Sequence, residues 1–108
     1  MIFSAQFKNR WLRFSLTEQM ANIGAEIGRA INWRKKGESE SRAFFERGLE
    51  LLDLTIEDVK NRKRLEELLR VRECLADYFC FDNAYGSSDE KWNNYFYGFN
   101  YAASLNKF

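Results

Sequence analysis

The chain contains no histidine. That removes the side chain most often used as a general base near neutral pH and the commonest zinc ligand. It also excludes the Glu-x-x-His motif on which di-iron helical bundles depend. Proline is absent as well. Turn-rich β folds draw on proline at turns and edges, whereas helix interiors reject it, so its absence favours long uninterrupted helices. Only two cysteines occur, Cys74 and Cys80, too few for a disulfide framework. They fall on different faces of a helical pattern and are read as reduced thiols, which places the protein in the cytoplasm. No apolar run reaches the length of a membrane span, and the N-terminus lacks the apolar middle of a signal peptide. No P-loop, dinucleotide fingerprint, nucleophile elbow or zinc spacing is present.

What remains is rich in two things, aromatic rings and blocks of charge. At 108 residues, with 45% apolar and 31% charged content, the chain is expected to form one globular domain over 1–108 with its own core. Eleven of the 18 aromatics lie after residue 77, so the aromatic excess is local. The net charge of +1 gives no global signature for nucleic acid. Its distribution is uneven: residues 1–14 carry three basic residues and no acid, 38–58 carry seven acids against two arginines, and 60–72 carry six basic residues against two acids. Such blocks can steer a partner although the total is near neutral.

Hydrophobic spacing predicts an all-α fold, an antiparallel bundle of four main helices at about 15–36, 39–56, 59–81 and 88–105. Ser15 and Glu18 form a capping box that opens the first of them. Leu16, Met20, Ile23, Ile27 and Ile31 then recur at helical spacing, and Gly24 and Gly28 leave one side open to a close helix neighbour. The basic run before Gly37 suits a helix end. Phe44, Phe45, Gly48, Leu49, Leu52 and Ile56 stripe the second helix, which starts near Ser39 or Ser41; Leu65, Leu68, Leu69, Leu75, Ala76 and Phe79 stripe the third. Ser87 with Glu90 reads as a second capping box, opening a helix whose core face is Trp92, Phe96, Phe99 and Ala103. Before Ser15, the aromatics Phe3, Phe7, Trp11 and Phe14 form a segment packed on the bundle, either a short helix of its own or an extension of the first. The pair of helices around Gly28, Phe45 and Gly48 resembles one tetratricopeptide unit, but a solenoid needs about three, and the chain has room for one.

Arg72 stands out because a projection at about 100° per residue places it within the stripe of Leu65, Leu69, Ala76 and Phe79. An unpaired buried charge is costly, so Arg72 must pair with a carboxylate, snorkel, or serve an anion site between helices. The stretch "RECLADYF", Arg72 to Phe79, resembles the signature of HEPN domains, in which an arginine is followed at short spacing by a histidine late in a helix. Arg72 matches the arginine, Asp77 stands at the histidine position, and Tyr78 and Phe79 suit the aromatic that often follows. The resemblance implies a small helical bundle, dimeric around this helix pair. Because the histidine is replaced, it also implies a protein without the family's metal-independent RNA cleavage. The chain is otherwise similar to uncharacterised helical proteins of prokaryotes, which implies nothing about activity.

Other candidates come from charge and aromatic placement. Lys60, Arg62, Lys63 and Arg64 open the third helix, where basic side chains oppose the helix dipole, so helix stability does not explain them. With Arg70 and Arg72 they are candidate phosphate contacts. Trp33 beside Arg34, Lys35 and Lys36 offers a stacking ring next to positive charge. Glu73 and Asp77 share a helix face, suited either to solvation or to a divalent ion. Tyr97 and Tyr101 lie opposite Trp92 and Phe96, making the last helix aromatic all round, which points to burial of its outer face, either by a second copy or another protein or within the chain by the N-terminal aromatics. The basic "FKNRWLRF" segment is amphipathic, but its aromatics are better used in docking on the bundle than on a membrane surface. The resulting expectation is a non-enzymatic protein-interaction module, dimeric or part of a complex, with no cofactor and no metal. The alternative is a HEPN-like nucleic-acid-binding or regulatory protein lacking RNase activity.

Overall fold

The computed structural model describes residues 3–105, and every regular element among them is helical. Five α-helices follow in order: α1 Ala5–Arg13, α2 Leu16–Trp33, α3 Glu38–Glu57, α4 Leu65–Cys80 and α5 Asp89–Leu105. A 3-10 segment, Val59–Arg64, leads into α4. Helix α2 is the centre of the fold, packing extensively on both α3 and α5, while α4 packs chiefly on α3.

The centre forms as the spacing requires. The Glu18 N–H donates to Ser15 Oγ (3.1 Å) and the Ser15 N–H to Glu18 Oε1 (3.0 Å), so the expected capping box is made. Met20, Ile23, Ile27 and Ala30 are buried on one stripe of α2, against Phe45, Leu51 and Leu52 of α3 and Phe96 of α5. Each large apolar side chain withdrawn from water this way contributes about 1.5–3 kcal/mol. Only one of the two expected small-residue contacts on α2 is used. A Cβ on Gly24 would lie 2.6 Å from Phe96 Cβ, so α5 rests directly on the α2 backbone there. Gly28 has open space beside it and accommodates no neighbour.

Helix α1 is separate from α2. Ser4 caps it by accepting from the Phe7 N–H (3.0 Å), and the chain turns through extended backbone at Phe14 before the Ser15 cap. Phe3, Phe7 and Trp11 stack in succession at 4.7 and 6.1 Å between centroids, and Trp11 is buried.

The later elements depart from the spacing in three ways. Residues 59–64 are 3-10 rather than α-helical. The Asp58 side chain accepts from the Lys60 N–H, and Asn61 is turned inward, which suits a tighter turn than the dipole-opposed α-helix. Secondly, α4 is rotated from the expected stripe. Leu68, Val71 and Leu75 are buried, whereas Leu69 is 47% exposed, and Arg72 lies at the edge of the α3–α4 contact rather than in the core. Thirdly, the cap of α5 is shifted by one position: Ser88 Oγ accepts from the Lys91 N–H (3.1 Å), and the expected box of Ser87 with Glu90 is not formed. Likewise α3 is capped by Gly37, with Ser39 inside the helix; Ser41 is buried, its hydroxyl donating to the Ala30 carbonyl (2.7 Å).

Candidate interaction surface

The outer face of α5 departs from an ordinary solvated surface. Its inner face spends Trp92, Phe96 and Ala103 on the core. Tyr97 and Tyr101, one turn apart, point away and are 66% and 56% exposed. Their rings stack on each other at 6.3 Å, and neither is covered by the α1 aromatics, since α1 packs on α3 and its Trp11 bonds to Thr55 there. Beside Tyr97 runs a groove of about 190 Å3 between α5 and α2, walled by Ala21, Gly24, Ala25, Phe96 and the amides of Asn93 and Asn100. It continues past Phe14 and Ala103 into a second depression of about 370 Å3. The lining of both is uncharged except for Glu18. In a chain with so much charge, the combination of exposed rings, small residues and self-complementary amides on one face is the distinctive feature.

The basic candidates are dispersed by the fold. Lys60 Nζ is held by Asp58 and by the Leu12 carbonyl (3.2 Å), which ties the 3-10 segment to the end of α1. Arg64 pairs with Glu67 (2.6 Å). Arg72 pairs with Asp53 across α3 and α4, its Nε 2.5 Å from Oδ1 and its Nη2 3.3 Å from Oδ2. The pair stands 39% and 45% exposed, and it holds the guanidinium above its ordinary range, the Asp53 bond outweighing partial burial. Arg62, Lys63 and Arg70 are exposed and make no ion pair among the described residues.

Trp33, Arg34 and Lys35 lie at the other end of α2, about 20 Å along the helix from Gln19, which touches the 3-10 segment. The two basic patches therefore do not merge. Arg34 is a clip: its guanidinium sits 4.7 and 4.6 Å over the Tyr78 and Phe79 rings, donates to the Tyr78 carbonyl and lies 3.8 Å from Asp89. Trp33 is 38% exposed, with Lys36 over its ring, and Lys35 is exposed.

Asp77 has a structural role that the spacing conceals. Its carboxylate accepts the N–H groups of Ala84 (3.0 Å) and Tyr85 (3.1 Å), and its carbonyl accepts those of Phe81 and Asn83. It anchors the α4–α5 loop, in which Asn83 and Gly86 adopt left-handed backbone. Glu73 accepts from the Tyr85 hydroxyl (2.6 Å), so the two acids serve the same loop. Among the described residues no three cysteine or carboxylate side chains converge to hold a metal ion. No helix among them is long and apolar enough to cross a membrane. Comparison of the chain with protein-family models, with curated proteins and with solved structures gives no match.

Proposed function

We propose that the chain is a protein-interaction module, an antiparallel bundle that pairs with a second copy of itself through the outer face of α5. The observation that carries this reading is the exposed, mutually stacked pair Tyr97 and Tyr101 beside an uncharged groove of small residues. Tyrosine supplies large contact area at low entropic cost and is favoured at interfaces. A twofold interface sets the same patch against itself. A charged patch would repel its copy, whereas asparagine side chains such as Asn93 and Asn100 both donate and accept and so match themselves. The uncharged lining therefore favours a second copy over a partner chosen by charge.

Sedimentation equilibrium tests this. A dimer is expected whose dissociation constant changes little between about 0.05 and 0.5 M salt and which the combined Tyr97→Ser and Tyr101→Ser substitutions convert to monomer. A chain that stays monomeric at high concentration, or a dimer indifferent to both substitutions, overturns the reading.

The second reading is a HEPN-like nucleic-acid-binding protein without RNase activity. It is favoured by the exposed, unpaired cations Arg62, Lys63 and Arg70. Its signature is binding of labelled single-stranded RNA that weakens steeply with salt and is lost when Arg62 and Lys63 become Ala.

A further inference from the structure

A second groove, of about 230 Å3, lies between α4, the loop after it and the first turns of α5, on the side of α5 away from Tyr97 and Tyr101. Its walls are the rings of Tyr85, Trp92 and Tyr95. Arg70, Lys91, Ser87 and Cys74 complete it, and no carboxylate lines it. The tyrosine hydroxyls are already engaged, Tyr85 with Glu73 (2.6 Å) and Tyr95 with Glu67 (3.4 Å). Burial and the neighbouring Glu67 push the Tyr95 hydroxyl up to about 12, so it stays protonated. The Cys74 thiol is also pushed up, chiefly by burial, which favours its neutral form.

Two groups in the groove lack partners. Trp92 is only 7% exposed, and its indole N–H is buried without an acceptor among the described residues. An indole nitrogen can only donate, and a buried donor left unpaired is costly. Arg70 is exposed and has no ion pair among the described residues. Lys91 is held in place by its bond to the Gly86 carbonyl (3.0 Å). The indole nitrogen itself is closed off from solvent, so what the groove presents is two cations and three ring faces.

We propose that this groove binds a small planar ligand bearing an oxyanion, its ring against Tyr85, Trp92 and Tyr95 and its carboxylate or phosphate on Arg70 and Lys91. The guanidinium fork suits either oxyanion. The groove is smaller than sites for drug-sized ligands, which matches one ring system rather than an extended molecule. A free aromatic acid and a mononucleotide share this chemistry.

The test is a nitrogen-15 correlation spectrum of the full chain, read at the tryptophan side-chain N–H signals. Trp11 is the internal control, since its N–H donates to Thr55 Oγ1 (3.1 Å) inside the fold. Benzoate and adenosine monophosphate are titrated separately, with benzamide and inorganic phosphate as comparisons. The Trp92 signal is expected to move saturably while that of Trp11 stays. Benzamide should bind about tenfold more weakly than benzoate, phosphate about tenfold more weakly than the nucleotide, and Arg70→Ala should weaken the better ligand about tenfold. Tighter binding of benzoate identifies a free aromatic acid as the ligand type; tighter binding of the nucleotide identifies the other. No movement of Trp92 with either at about 10 mM overturns the proposal. So does equal binding of benzamide and benzoate, a Trp11 signal that moves with Trp92, or an Arg70→Ala variant that binds unchanged.

Discussion

Gln19 and Tyr97 sit on opposite sides of one fold and are treated in opposite ways. Gln19 is fully buried, yet its amide is bonded at every turn: Nε2 donates to the Trp11 carbonyl and to Asp58 Oδ2, both at 3.0 Å, and Oε1 accepts from Asn61 (2.9 Å). Around it, Asn61 also donates to the Thr55 carbonyl, Trp11 donates to the Thr55 hydroxyl, and that hydroxyl donates to the Leu51 carbonyl. Four segments, α1, α2, α3 and the 3-10 turn, are fastened by this network. Tyr97 and Tyr101 by contrast leave apolar surface in water and contribute almost nothing to holding the monomer together. Polar groups that a protein buries for its own stability are satisfied within it. Apolar groups left outside have no such internal use. The difference separates what this chain needs to fold from what it has left for partners.

The sharpest way to break the comparison is Gln19→Leu. It strips partners from the Asp58 carboxylate, the Asn61 amide and the Trp11 carbonyl together, and a loss of about 3 kcal/mol is expected in urea unfolding. A loss below about 1 kcal/mol would show that the network does not fasten α1. Acid titration comes next. Burial works against the charge of Asp58, but the bonds from Lys60 and Gln19 outweigh it and hold the carboxyl below the ordinary aspartate range. A depressed folded-state value means the stabilisation is complete above about pH 4, where the unfolded chain is also ionised, and is lost as pH falls through the folded value. Unfolding free energies measured downward from about pH 5 should fall accordingly, and Asp58→Asn should flatten that part of the curve.

Smaller effects are expected at the edge. Arg72 and Asp53 form a well-aligned pair, but both are more than a third exposed, and solvent screens them. A double-mutant cycle with alanine at both positions should give a coupling of about 0.2–1 kcal/mol that shrinks with salt. The smallest change in monomer stability is expected for the combined Tyr97→Ser and Tyr101→Ser substitutions, within about 0.5 kcal/mol. Measured at concentrations where the chain is monomeric, a larger loss would mean that this face belongs to the core after all.

Much of the helix pattern was legible in the residues, and the reason is range. Ser15 meets Glu18 three positions away, and Met20, Ile23 and Ile27 share a stripe through helix periodicity alone. Tyr97 and Tyr101 were legible as surplus aromatics on the face opposite Trp92. Where spacing misled, two solutions were close in the pattern. On α4, Leu69 and Val71 compete for the buried side, and Arg72 follows the choice. Packing on α3 puts Val71 inside, leaving Leu69 in water and Arg72 free to reach Asp53. Asp77 looked like half of an acidic pair with Glu73; only the returning loop turns it into an acceptor for Ala84 and Tyr85.

The sequence by itself determined that this protein is helical, where α2 begins, and that its last helix carries more aromatic surface than one core can use. Those properties rest on contacts within a turn or two of one helix and on composition. Tertiary structure alone decided that Gln19 is a core residue, that residues 59–64 wind as a 3-10 turn, and that the basic residues are scattered rather than gathered. Gln19 meets Asp58 and Asn61 across 39 and 42 positions, and Trp11 meets Thr55 across 44. A polar side chain becomes worth burying only when distant partners arrive to satisfy it, and no local pattern records their arrival.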